Sequence, residues 1–119
     1  MKKCRVVIAD TGWTLLNVAE VALTSGERMR GLLGRSGLPA GEGLFLPHCW
    51  TVHTFFMRFP VDVAYVTSDN AVVKLVDELK PWRISWCWLA QSAVEMPAGW
   101  ARKMGLSIGH VLNFPPLDE

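Results

Sequence analysis

The sequence predicts a mainly β domain, a compact sandwich or small barrel with two short helices. Three observations carry that prediction. Short runs rich in β-branched and aromatic residues recur along the chain and suit a pleated surface better than a helix. Gly and Pro punctuate these runs at close intervals, as in small all-β folds. Only two stretches carry helix-start chemistry. The chain has 119 residues, which suits a single domain over 1–119 that buries about two thirds of its unfolded surface.

The elements follow in order. Arg5 to Ala9 is a β-branched run that meets a turn at Asp10-Thr11-Gly12, and Trp13 to Leu23 continues as extended apolar chain. Thr24-Ser25-Gly26-Glu27 fits a capping box, in which the Thr oxygen accepts from a backbone amide and Glu27 reaches back. A first helix is therefore expected there, with Met29, Leu32 and Leu33 on one face and Gly34 or Gly37 ending it. After the Gly-rich loop from Ser36 to Gly43, Leu44 to Leu46, Trp50 to Met57 and Val61 to Thr67 read as strands, the last two separated by Pro60.

Ser68-Asp69-Asn70 supplies turn chemistry, and Ala71 to Leu79 reads as the returning strand of a hairpin. With Asn70 left-handed in a three-residue loop, Thr67 falls opposite Ala71, Tyr65 opposite Val73 and Asp62 opposite Val76. A two-residue loop sets Asp62 opposite Asp77 instead. Pro81 interrupts before the Trp-rich stretch Trp82 to Trp88, and a short strand follows around Ala93 to Met96. A second helix is expected from about Pro97 to Lys103, closed by Gly105, and His110 to Phe114 forms a final strand before Pro115-Pro116.

Charge excludes some functions. Twelve Lys plus Arg against eleven Asp plus Glu leave a net charge of +1, so a strongly basic nucleic-acid module is not expected. No run approaches the roughly twenty apolar residues that span a bilayer, and Val6 to Ala9 is too short for a signal-peptide core, so the reading is cytoplasmic with no membrane partner. Cys4, Cys49 and Cys87 are odd in number and widely spaced, and free thiols are expected.

The order of short motifs then becomes informative. Gly31-Leu32-Leu33-Gly34-Arg35, Gly43-Leu44-Phe45 and the block His53-Thr54-Phe55-Phe56-Met57-Arg58-Phe59-Pro60-Val61-Asp62 precede Pro81-Trp82-Arg83 and Val94-Glu95-Met96-Pro97-Ala98-Gly99. Together they resemble the family called domain of unknown function 192, over about residues 17–113. The resemblance implies a jelly-roll-like β-sandwich with short helices, and no activity, substrate or cofactor comes with it. Asn70 stands where the family pattern has a turn Gly, and His110 stands where it often has Asp.

Several constellations carry candidate chemistry. His53, Thr54, Arg58 and Asp62 lie close together amid Phe55, Phe56, Met57 and Phe59. In a continuous strand, Thr51, His53, Phe55 and Met57 share one face and Thr54, Phe56 and Arg58 the other. Across neighbouring strands His53 and Asp62 could form an oriented base or a polar ligand site; the candidate donors to Asp62 are His53, Thr54, Arg58 and nearby backbone amides, with His53 favoured by a small margin. The competing account is a structural hydrogen bond inside the sandwich. Glu95 either joins that pocket or pairs with Arg35 or Arg83.

His48, Cys49 and His53 invite a metal reading, but in a strand Cys49 and His53 sit about 13 Å apart and His48 faces away, so neither metal nor cofactor is expected. Trp86 and Trp88 sharing a strand face would make a stacking platform beside Arg83, against which stands a core or rim filled by rings. No nucleotide, metalloprotease or esterase motif occurs.

The expected function is a noncatalytic domain that binds a small polar or saccharide-like ligand through His53, Thr54, Arg58, Asp62, Arg83, Trp86, Trp88 and Glu95. One alternative is an enzyme using His53 with Asp62 or Glu95. Another is a protein-interaction module using exposed Trp.

Overall fold

A computed structural model describes residues 2–23 and 36–117. Its strands are β1 (Lys3–Ile8), β2 (Thr14–Val21), β3 (Glu42–Pro47), β4 (Thr51–His53), β5 (Val61–Val66), β6 (Val72–Leu79), β7 (Ile84–Trp86), β8 (Ser92–Pro97) and β9 (Leu112–Asn113). One short helix, α1 (Trp100–Lys103), is present among the described residues. The mainly β expectation therefore holds. The expected first helix, from Thr24, lies outside the described residues.

Seven strands form one sheet in the order β6-β5-β8-β3-β2-β1-β9, and β4 pairs with β7 in a separate two-stranded sheet. All pairings are antiparallel except β2 with β3. The large sheet curls into a half-barrel. At one rim its ends meet, where Ala71 bridges Val111 and the Val72 amide donates to the His110 carbonyl at 2.8 Å. The curl encloses an apolar cluster containing Val6, Ile8, Leu16, Ala64, Val66, Val94, Met96 and Leu112, with Ala101 of α1 closing it.

The other face of β3, β5 and β8 buries Leu44, Leu46, Val61, Val63, Tyr65 and Ala93 beneath Val52 of β4. β5 is thus covered on both sides, and all six of its residues are buried. Its run of Val-Asp-Val-Ala-Tyr-Val shows the near-continuous apolar character of a strand with no solvent face. At Gly43 a Cβ would run into the Glu95 carbonyl and the Leu16 side chain, so β3 and β8 come this close only with glycine at that position.

The hairpin turn forms as expected. Asn70 is left-handed at φ 64°, and the Thr67 amide donates to the Ala71 carbonyl at 3.0 Å. Beyond the turn the register leaves the three-residue offset and takes that of the alternative two-residue loop. Val66 pairs with Val72, but Tyr65 pairs with Lys74 rather than Val73, and Val63 pairs with Val76. A second irregularity brings Val61 opposite Leu79, with Glu78 at φ 50°. Each adds one residue to β6, as β-bulges do.

Two other boundaries differ. The strand expected from Trp50 to Met57 ends at His53, because the chain turns and Phe56 adopts φ 65°. The helix expected from Pro97 starts at Trp100, because Pro97 still pairs with Val61 and left-handed Gly99 makes the turn into α1.

Candidate functional site

Asp62 anchors the inner region. Alternation along β5 puts it on the face of Ala64 and Val66, inside the curl, where it is 1% exposed. Oδ1 accepts from the amides of Glu78 at 2.8 Å and Gly99 at 3.0 Å, and Oδ2 accepts from the amide of Ala101 at 3.0 Å. Two of these donors belong to the start of α1, whose first amides have no partner within the helix. The third comes from the bulged Glu78. One carboxylate therefore ties β5 to the rim of β6 and to α1.

This arrangement corrects the expected contact between Asp62 and His53. His53 lies on the outer surface of the β4–β7 layer, where its ring stacks on Phe55 with centroids 5.0 Å apart. Glu95 is also separated from Asp62. It shares the alternation of Ala93, on the face beneath β4 and β7, while its neighbours Val94 and Met96 point into the curl. The three residues expected to form an acid/base pocket thus occupy three different places.

Thr54 is fully buried and clamps two loops. Its Oγ1 donates to the Lys80 carbonyl at 2.6 Å and accepts from the Arg83 amide at 2.9 Å. Its carbonyl accepts from the Trp82 and Met57 amides at 3.0 and 3.2 Å. Nearby, the Tyr65 hydroxyl bonds to the Ser85 hydroxyl at 3.0 Å, which fastens β7 down onto β5. Burial pushes the Tyr65 phenol up to about 12.

The metal-ligand candidates have other engagements. Cys49 Sγ donates to the Thr51 carbonyl at 2.9 Å, and His48 Nδ1 lies 2.7 Å from Gln91 Nε2. Among the described residues no group of three or more His, Cys, Asp or Glu is placed to hold a metal ion. No disulfide joins the three cysteines. A groove of about 550 Å³ runs beside Lys2, Cys4, Phe45 and Phe114, and none of the residues expected to bind a ligand lines it.

What the structure does gather is an aromatic surface over β4 and β7. Of the eleven exposed large hydrophobic side chains among the described residues, eight lie here: Trp50, Phe55, Phe56, Trp82, Ile84, Trp86, Trp88 and Leu89. Trp88 stacks on Trp50 with centroids 4.6 Å apart, so its ring partner comes from outside residues 82–88. Phe56 tilts against Trp82 at 4.7 Å. Arg58 and Arg83 are exposed in the same segments, and residues 48–60 and 80–91 contain no Asp or Glu.

Of this surface the sequence points to His53, Arg58, Arg83, Trp86 and Trp88 as binding residues, and it does not single out Trp50, Ile84 or Leu89. The missed signal was joint: two separate segments, both aromatic and both without acids.

Comparison with known proteins establishes the family. The model of domain of unknown function 192 (DUF192), described as an uncharacterized ACR family, matches residues 6–114. The chain belongs to this family. No curated protein matches the chain. DUF192 membership agrees with the likeness to two crystal structures, which show the same fold at low identity. One is a "putative transcription regulator" from Sinorhizobium meliloti 1021, 21% identical with a TM-score of 0.79, covering 95% of this chain and 92% of that one. The other is a protein of unknown function from Novosphingobium aromaticivorans DSM 12444, 22% identical with a TM-score of 0.77, covering 93% and 83%. No helix among the described residues is long and apolar enough to cross a membrane.

Proposed function

We propose that this DUF192 protein is a noncatalytic interaction module that binds another polypeptide through the aromatic surface over β4 and β7. The carrying observation is the concentration of eight of eleven exposed large hydrophobics on that one surface. Contiguous exposed apolar area of this kind marks interaction sites in folded proteins, and Trp with Arg is the usual composition of binding hot spots. The rings are held in place by stacking on one another, and the loops that carry them are clamped by Thr54, so little ordering remains to oppose binding.

Photo-crosslinking in cells tests this reading. A photoreactive phenylalanine analogue at position 88 should give discrete polypeptide adducts, and one at the exposed Trp13 between β1 and β2 should not. Equal adducts at both positions, or none at 88, would remove the reading.

A saccharide-like ligand is the second reading, and the Trp50–Trp88 stack favours it, since Trp88 is 76% exposed and offers a ring to a sugar face. A rise in melting temperature with an oligosaccharide, lost in Trp88→Ala, would move the assignment to that class.

A further inference from the structure

We infer that the open edge of β7 takes up an acidic, extended polypeptide segment as an added strand; this rests on the interaction reading above and specifies its mode. The backbone of the two-stranded sheet points to it. Antiparallel ladders alternate between pairs whose N–H and C=O groups face each other and pairs whose groups face away. The Cys87 amide donates to the Trp50 carbonyl and the Thr54 amide to the Arg83 carbonyl, each at 2.9 Å, which makes both of these inward-facing pairs. Within this register Val52 with Ser85 is the inward-facing pair between them, while Ile84 and Trp86 turn their polar groups towards the outer edge of β7. No described strand pairs with that edge. Two residues at i and i+2 with outward backbone groups, flanked by exposed side chains, are what a β-augmenting peptide uses.

Charge sets the chemistry of the occupant. Lys74 of β6 donates from Nζ to the Trp86 carbonyl at 2.8 Å, so a cation already guards this edge. An edge lysine ordinarily discourages strand pairing, and here it discriminates: a carboxylate on the incoming strand can take over the ammonium, whereas a neutral strand offers it no counter-charge and a basic strand repels it. Lys80 and Arg83 precede β7, and residues 80–91 contain no acid. β6 carries two acids, of which Asp77 is held by Arg102 at 3.3 Å and Glu78 sits at the bulge. The same cations disfavour a second copy of this chain, because two β7 edges brought together would oppose like charges.

Three synthetic peptides of about ten residues test the inference on the intact protein by tryptophan fluorescence titration. One alternates Glu and Val, one alternates Lys and Val, and one is the acidic peptide interrupted by prolines. The acidic alternating peptide should bind. The basic and the proline-containing peptides should not. Ile84→Pro removes an outward N–H while leaving the β4–β7 ladder intact, and should weaken binding about tenfold, the loss of one or two backbone hydrogen bonds. If Ile84→Pro is poorly folded, amide exchange on the native protein decides instead: the Ile84 and Trp86 N–H groups should gain protection when the acidic peptide is added.

Equal binding of the proline-containing peptide, or unchanged exchange at Ile84 and Trp86, would overturn strand addition. If Trp88→Ala still lowered that binding, the aromatic surface would stand as an interaction site by another mode. Failure of all three peptides would overturn the inference, and photo-crosslinking at position 88 would then judge the broader reading separately.

Discussion

The rim around Asp62 and the surface over β4 and β7 invert the usual placement of polar and apolar groups. At the rim a carboxylate is buried, and three amides satisfy it. Over β4 and β7, large rings are exposed to solvent and stack in part on one another. A buried ionisable group in a small domain is readily taken for a site, yet Asp62 is 1% exposed and its carboxylate is already held by three backbone amides. Exposed rings are readily taken for a filled core, yet these rings have water beside them. The difference teaches that full satisfaction marks architecture, while incomplete burial marks the region left for a partner.

Asp62→Ala should break that comparison most severely. It orphans the amides of Glu78, Gly99 and Ala101 and leaves a cavity, so a loss of about 3–5 kcal/mol in urea denaturation is expected. Asp62→Asn keeps the shape but turns an NH2 group towards at least one donor, and about half that loss should follow. Trp88→Ala should stay within about 0.5 kcal/mol of the native protein, since the ring is mostly in solvent. Equal costs at positions 62 and 88 would abolish the distinction between the two regions.

Tyr65 joins the two regions, and its effect should be smaller. Tyr65→Phe leaves the Ser85 hydroxyl without its partner and should cost about 1–2 kcal/mol. Tyr65 is also the single tyrosine of the chain, so tyrosinate absorbance reports it alone. Its folded value, pushed up to about 12 by burial, lies above the ordinary value of 10.0. The stability contributed by the neutral phenol is therefore complete below pH 10 and is lost as pH rises from there through about 12. Tyrosinate appearing in the native protein near pH 10 would show that β7 does not stay down on β5.

The fold was legible where local chemistry decides it. Asn70 announced its turn because a left-handed residue was needed and Asn tolerates one. The bulges in β6 were not legible, since the second forms where a carboxylate on β5 draws the Glu78 amide out of the ladder, and that depends on α1 far along the chain. Asp62 is legible as a carboxylate in need of a donor, and three amides meet that need. Backbone amides were among its candidate donors, but the preference for His53 fails, because the amides that serve belong to Glu78, Gly99 and Ala101, far along the chain. His53 does not meet Asp62 because β4 is not a neighbour of β5 but pairs with β7 in the separate two-stranded sheet, a layering that residue identity does not announce. The stack of Trp88 on Trp50 was not legible either, since it joins two segments and alternation along one strand says nothing of it.

The smallest expected effect is a difference of rates at the three cysteines, and it tests whether the two regions also differ in how easily they open. Cys4 belongs to the cluster inside the curl, whereas Cys49 and Cys87 lie with the cluster beneath β4 and β7. A two-stranded sheet held down by one face should lift locally at lower cost than a seven-stranded curl comes apart. Burial pushes the Cys4 thiol up to about 11, which further lowers its thiolate fraction at neutral pH. Alkylation of the native protein at neutral pH should therefore reach half-buried Cys87 first, buried Cys49 next and Cys4 last, with mass spectrometry of peptides giving the order. In denaturant without reductant all three should label together. Cys4 reacting as fast as Cys87 in the native protein would mean that the curl opens as readily as the layer above it, and the rigid support assigned to the aromatic surface would be lost.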